Sequence, residues 1–228
     1  PVIAALATVP AWLLDRALAD TPLALVDAGG SLWRGQAWLA LRPGPEADAA
    51  SGNTPLLPLA WAPAWRSGPG LRLVTAAGEG WLGWRQGGLL LESPPFELAL
   101  SRLPLPMPLG QGGLSGMLRA GPGRIHCPAP QRCAGSLPLR LQGLALRLFP
   151  GEHLADAELK LDVSPQGPRL EANLLPGGAL TGHLRLEPGD PLRASGLLQA
   201  TPAASPALVR ALNSLGTPGP EGVVIERR

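Results

Sequence analysis

The sequence predicts a mainly β protein: one extended, curved antiparallel sheet, a half-pipe or rolled meander, with a short N-terminal helix and one C-terminal helix. Three observations carry this reading. Apolar residues recur at every second position through short runs, as where Leu159, Leu161 and Val163 alternate with Glu158, Lys160 and Asp162. Period two is the mark of a strand with one buried face. The 30 glycines and 28 prolines of the 228 residues fall between these runs, where they read as turns. Short strands with such regular turns form an antiparallel meander. Only one stretch, near the end, carries both helix-start and helix-stop chemistry.

In chain order, the start PVIAALATVPAWLL has no charge before Asp15. It falls short of the roughly 20 apolar residues a membrane-spanning helix needs, and Pro10 interrupts it. The chain starts at Pro1 without a Met, as a mature N-terminus or a fragment cut inside a membrane anchor would. The short amphipathic continuation through Trp12, Leu13, Leu14, Ala17 and Leu18 suits the second option. Residues 1–20 are therefore read as the tail of an N-terminal membrane anchor and helix. Residues 21–228 read as a single β domain, with two weakly repeated halves at about 21–113 and 114–228. The repeat rests on similar strand starts at Gly30, Gly113, Gly135 and Gly182.

Residues 30–41, GSLWRGQAWLAL, read as one strand. Ser31, Trp33, Gly35, Ala37, Leu39 and Leu41 share one face; Leu32, Arg34, Gln36, Trp38 and Ala40 share the other. Gly30 is expected to start this strand, Trp33 and Leu39 to face the core, and Gly35 to leave room for a ring or a neighbouring backbone. Further strands are expected at 71–76, 87–93 and 96–103. Over 136–150 the leucines alternate until Gly143 breaks parity, which predicts a bulge or turn. Runs at 157–163 and 169–174, and two more beyond the turn at 176–178, continue the meander. In SPALVRALNSLG, Ser205 is placed to cap a helix, Pro206 to occupy its first position and Gly216 to follow its end. Leu208, Ala211, Leu212 and Leu215 form its apolar stripe. GVVIERR closes the chain as a last strand.

Composition narrows the function. With 45% hydrophobic residues the chain is not disordered throughout. The net charge is +2, and the basic residues are arginines scattered singly apart from the terminal Arg227 and Arg228, with Lys160 the only lysine. Nucleic-acid binding requires a basic cluster or stripe, so no nucleic-acid partner is expected. No nucleophile elbow, phosphate loop, paired-histidine zinc motif or dinucleotide fingerprint occurs. His126, His153 and His183 stand apart, and His183 alternates with Leu184 toward solvent. No catalytic residue, no metal site and no cofactor is expected.

Cys127 and Cys133 enclose five residues in HCPAPQRC. Two cysteines with one nearby histidine fall short of a metal-ligand set. A short disulfide loop is the expected arrangement, worth about 2 kcal/mol on the loop-entropy model. It implies an oxidising compartment. Two free or buried thiols are the other reading.

The chain has 7 Trp, 2 Phe and no Tyr. Trp33, Trp38, Trp61, Trp65, Trp81 and Trp84 crowd the first half, after Trp12. They are either the bulky core of a leucine-rich sheet or a surface for a partner or ligand. On the second reading the contact residues are Trp38, Trp61, Trp65, Trp81 and Trp84.

Taken in order, several stretches resemble a known family, protein N of the type II secretion system of Gram-negative bacteria. They are ATVPAWLLDRAL, then GSLWRGQAWLAL, which looks like the family's Gly-Ser/Thr-Leu/Val-Trp-x-Gly-x-Ala signature, then PLLPLAWAPAW, like its strand ending in Leu-x-Trp. LPLPMPLGQGGLSGMLRA, the cysteine pair before GSLPLRLQGLAL, and SPALVRALNSLGTPGPEGVVIERR follow. Each motif is loose; their order is the more specific signal. One departure is the shortened N-terminus, which lacks a full membrane span. The resemblance implies an inner-membrane protein with its bulk in the periplasm. It implies a non-enzymatic accessory of the machine that exports folded proteins across the outer membrane. The implied partners are the inner-membrane platform proteins and the secretin, with the inner membrane held through the truncated anchor. A separate expectation is a lipid- or glycan-binding module that uses an apolar trough of the curved sheet.

Overall fold

The computed structural model describes residues 9–19, 21–43, 52–66, 68–85, 87–103, 113–129, 132–187, 193–220 and 222–227. The apolar start at 1–8 and the segment 104–112 lie outside the described residues. A short helix α1 (Trp12–Ala17) precedes β1 (Leu23–Gly30), β2 (Gly35–Leu41), β3 (Thr54–Trp65), β4 (Pro69–Thr75) and β5 (Gly78–Arg85). Next come β6 (Gly88–Ser93), β7 (Phe96–Ala99), a 3-10 turn at Leu100–Arg102, β8 (Leu114–Ala120) and β9 (Gly123–Cys127). The chain continues through β10 (Ala134–Leu146), β11 (Ala155–Ser164), β12 (Gly167–Leu175), β13 (Leu180–Glu187) and β14 (Arg193–Ala200). Helix α2 (Pro206–Leu215), β15 (Thr217–Gly219) and β16 (Gly222–Arg227) complete it.

All the strands join one antiparallel sheet, and chain neighbours are almost always sheet neighbours. The exceptions have local causes. β9 pairs with the start of β10 and β8 with its end, so β8 and β9 are two halves of one interrupted strand. β6 and β7 run beside them in the same way. The interruptions fall at Pro94–Pro95 and Gly121–Pro122, where proline offers no N–H to the ladder. At the C-terminus, α2 carries the chain away from β14, and β16 returns beside β14 with β15 at the edge.

Register sorts the side chains onto two unlike faces. Leu137, Leu161, Leu170 and Leu186 form one row across β10 to β13, and Leu139, Leu159, Ala172 and Leu184 form the next. On the other face Pro138, Lys160, Glu171 and Arg185 form a row, as do Arg140, Glu158, Asn173 and His183. The apolar face is covered in patches. Ala11 and Leu14, at α1, pack on Leu25, Ala37 and Trp61. Leu56 and Leu57 of β3 meet Leu98 of β7, although these strands are not sheet neighbours. The sheet therefore curls toward its apolar face there. Leu100 of the 3-10 turn covers Leu141 and Ala157. From α2, Leu212 sits on Leu198, Val223 and Ile225, and Leu208 on Leu154 and Ala179. Each such leucine contributes roughly 1.5–3 kcal/mol by leaving water.

Several local expectations are met in detail. The Ser205 hydroxyl accepts from the Leu208 N–H at 3.2 Å, capping α2. The register of β10 slips between Leu141 and Leu144, with Gly143 at φ 65°, so the parity break is a bulge. His183 is exposed on the polar face. Among the described residues no helix is long and apolar enough to cross a membrane.

Other expectations need correction. Residues 30–41 are not one strand: Gly30 ends β1, Gly35 starts β2, and 31–34 form the hairpin turn between them. The Ser31 N–H donates to the Arg34 carbonyl at 2.8 Å, and the Arg34 N–H to the Ser31 hydroxyl at 3.2 Å. Trp33, expected in the core, sits on this turn, 43% exposed. The expected strand over 96–103 stops at Ala99 and winds into the 3-10 turn. Leu215 leaves the stripe of α2 and is 68% exposed. The four glycines read as similar strand starts have different settings. Gly30 ends a strand, Gly113 precedes β8, and Gly135 and Gly182 lie inside β10 and β13.

Candidate functional site

The tryptophans divide into walls and surface. Trp61 stands opposite Gly35 in the β2–β3 register. A Cβ added at Gly35 would lie 2.6 Å from the Trp61 ring, so the missing side chain is the space the indole occupies. The Trp61 indole N–H donates to the Ser31 and Leu32 carbonyls, 3.1 Å each, and so clamps the first hairpin turn. Trp81 lies over the facing glycines Gly70 and Gly83 of β4 and β5 in the same manner. Trp61 and Trp81 are 3% and 2% exposed. Both were candidate contact residues; buried against glycine, they offer no surface to a partner, and their role in this fold is packing.

Trp38, Trp65 and Trp84 are exposed, at 38%, 81% and 60%. Trp38 faces Val26 and Pro58 across β1 and β3 and lines a groove of about 590 Å³ with Asp27, Thr54 and Arg102. Trp65 ends β3 and Trp84 stands near the end of β5, opposite Leu89. They share the apolar face with Trp61 but lie beyond the part that α1 covers. Parity in the sequence distinguishes faces; it does not tell how far a covering helix reaches.

Cys127 and Cys133 form the disulfide, closing the loop between β9 and β10. The loop lies at the same end of the sheet as Trp65 and Trp84, because Leu89 of β6 pairs with Cys127.

A groove of about 1220 Å³ opens on the polar face, along β5 to β12. Arg119, Arg124, Arg140, Lys160, Glu92 and Glu158 are among its lining residues. The charges are paired across strands: Glu92 with Arg66 at 2.8 Å and Arg124 at 2.7 Å, and Arg140 with Glu158 at 3.1 Å. Such solvent-exposed pairs stabilise by only about 0–1 kcal/mol each, so they exchange readily for a partner's groups. The groove presents both signs of charge, which suits a polar peptide surface better than an acyl chain. Sequence reasoning did not locate it. Its signal is the charged half of each alternating strand, and only the register brings those halves together.

His153 and Asp156 meet at 3.0 Å beside the β10 bulge. The Asp156 carboxylate also accepts the Gly143 N–H at 2.7 Å. That backbone hydrogen bond, and after it the one with His153, hold the Asp156 carboxyl below its usual range. Its location ties a β-bulge to a loop, a structural task. Among the described residues no group of three or more His, Cys, Asp or Glu is placed to hold a metal ion. Compared with family models, curated proteins and solved structures, the chain matches none.

Proposed function

We propose that the chain is a non-enzymatic accessory of a type II secretion machine, the periplasmic part of an inner-membrane protein that helps to assemble or stabilise the export apparatus. The observation that supports it is the physical coupling of two stretches that resemble protein N. The Gly-Ser-Leu-Trp-x-Gly turn and the Leu-x-Trp strand lie far apart in sequence. Trp61 of the second fills the space over Gly35 and clamps the turn of the first. The likeness thus falls on residues that depend on one another. The Cys127–Cys133 disulfide suits an oxidising compartment such as the periplasm. The charged groove is the surface offered to the platform proteins or the secretin.

The alternative, a lipid- or glycan-binding module working through an apolar trough, has less support. The open groove is lined by charges, and much of the apolar face is covered in patches by α1, the β7 turn region and α2, with Trp65 and Trp84 exposed beyond them. Affinity isolation from mildly solubilised membranes tests the proposal. Co-isolation of a platform subunit or the secretin is expected when the machine is present. Recovery of the chain alone from membranes rich in the assembled machine would overturn it.

A further inference from the structure

Three successive hairpins at one end of the sheet carry the same dipeptide. Trp33-Arg34 lies in the turn between β1 and β2, Trp65-Arg66 spans the end of β3, and Trp84-Arg85 closes β5. The meander turns at this end after every second strand, so pairs separated in sequence gather on one rim. The register of β2 to β6 places them on neighbouring hairpins. The three indoles are 43%, 81% and 60% exposed, and Leu89 beside Trp84 is 41% exposed. The next connection at that end is the disulfide loop, which carries exposed Arg132.

The rim is also electrostatically one-sided. Residues 30–35, 64–70, 83–88 and 127–133 contain Arg34, Arg66, Arg85 and Arg132 and no Asp or Glu. Arg34, Arg85 and Arg132 are exposed and make no ion pair among the described residues; Arg66 reaches back to Glu92 at 2.8 Å. This contrasts with the polar groove, where cations and carboxylates alternate.

We propose that this rim is a docking surface for an anionic lipid bilayer, with the indoles seated at headgroup depth and the guanidiniums on lipid phosphates. Indole combines an apolar body with a polar N–H, which suits the boundary between headgroups and acyl chains. Arginine, on the opposite side of the same strand end, supplies bidentate contacts to phosphate at the rim. A protein partner is the less favoured occupant, since three repeats of one amphipathic pair along a rim match a laterally uniform surface. The path of the chain points the same way. The Leu32 N–H donates to the Val9 carbonyl at 2.7 Å, and Pro10 bridges to Ser31. The apolar residues Val9 and Pro10 thus lie against the first Trp-Arg turn. The inference is independent of the secretion proposal.

Flotation of the purified chain with vesicles tests it. Vesicles with roughly one-third phosphatidylglycerol should bind the chain, all-phosphatidylcholine vesicles much less, and binding should fall as salt rises from about 0.1 M to about 0.5 M. Trp65→Ala with Trp84→Ala should weaken binding by about tenfold or more. Arg34→Gln and Arg85→Gln should each cost about fivefold on anionic vesicles only. Lys160→Gln, in the groove, should leave it unchanged. The arginine variants replace exposed tips and keep the test sound should the tryptophan pair misfold. Equal binding to neutral vesicles, full binding by the arginine variants, or no binding to anionic vesicles overturns the proposal. A photoreactive group at position 84 that captures protein and no lipid in membranes overturns it as well.

Discussion

At the scale of single residues, the first hairpin is held by a glycine and an indole. Gly35 can sit opposite Trp61 because it has no side chain, and Trp61 then reaches the Ser31 and Leu32 carbonyls. Gly35→Ala would drive a methyl group into both the ring and the Gly29 carbonyl, 2.6 Å from each. A loss of about 1–3 kcal/mol is expected in urea unfolding. Trp84→Ala, at a ring 60% exposed, should change stability by no more than about 0.5 kcal/mol. Equal losses from the two would refute the division of tryptophans into wall and surface. The need for space at Gly35 was legible in the sequence, since a glycine inside an apolar run marks a close approach. The exposure of Trp33 was not, because Leu32 and Trp33 carry the apolar alternation straight through a turn.

At the scale of elements, the β10 bulge shows how a side chain supports irregular backbone. Asp156 accepts the Gly143 N–H and meets His153, and both contacts favour its ionised form. A carboxyl whose folded pKa is depressed stabilises the fold above its unfolded value, roughly 3.9, and that contribution is lost as pH falls through the folded value. Asp156→Asn should lower the urea midpoint slightly near pH 7, and the difference from the parent should shrink as pH falls below the unfolded carboxyl value and through the folded one. The effect is small because the side chain is 42% exposed and screened. A deficit that persists undiminished in acid would show that the contact works through packing instead. The bulge was legible because Gly143 shifts leucine parity, and α2 was legible because Ser205, Pro206 and Gly216 are all in place. The 3-10 turn at Leu100–Arg102 and the three-residue β15 were not: neither is long enough for a period to declare itself.

At the scale of the whole molecule, an alternating sequence becomes a two-faced sheet only once register is set. Leu159, Leu161 and Val163 could be assigned to one face of their own strand from the sequence alone. That Lys160 stands beside Glu171 and Pro138, and that these line an open groove, needs the pairing of β10, β11 and β12. The same holds for the Trp-Arg rim: each dipeptide is visible in the sequence, but their gathering at one end follows from the meander. The molecule is thus a wall with an apolar face covered in patches, a charged groove and an aromatic, basic rim along its first hairpins.

The proposed accessory role in a secretion machine is best probed by photocrosslinking in intact membranes from position 140, in the groove. A photoreactive residue replacing Arg140 is expected to capture a platform subunit or the secretin, and that capture to disappear when the subunit is deleted. Crosslinks that involve no component of the machine, in membranes where it is fully assembled, would contradict it.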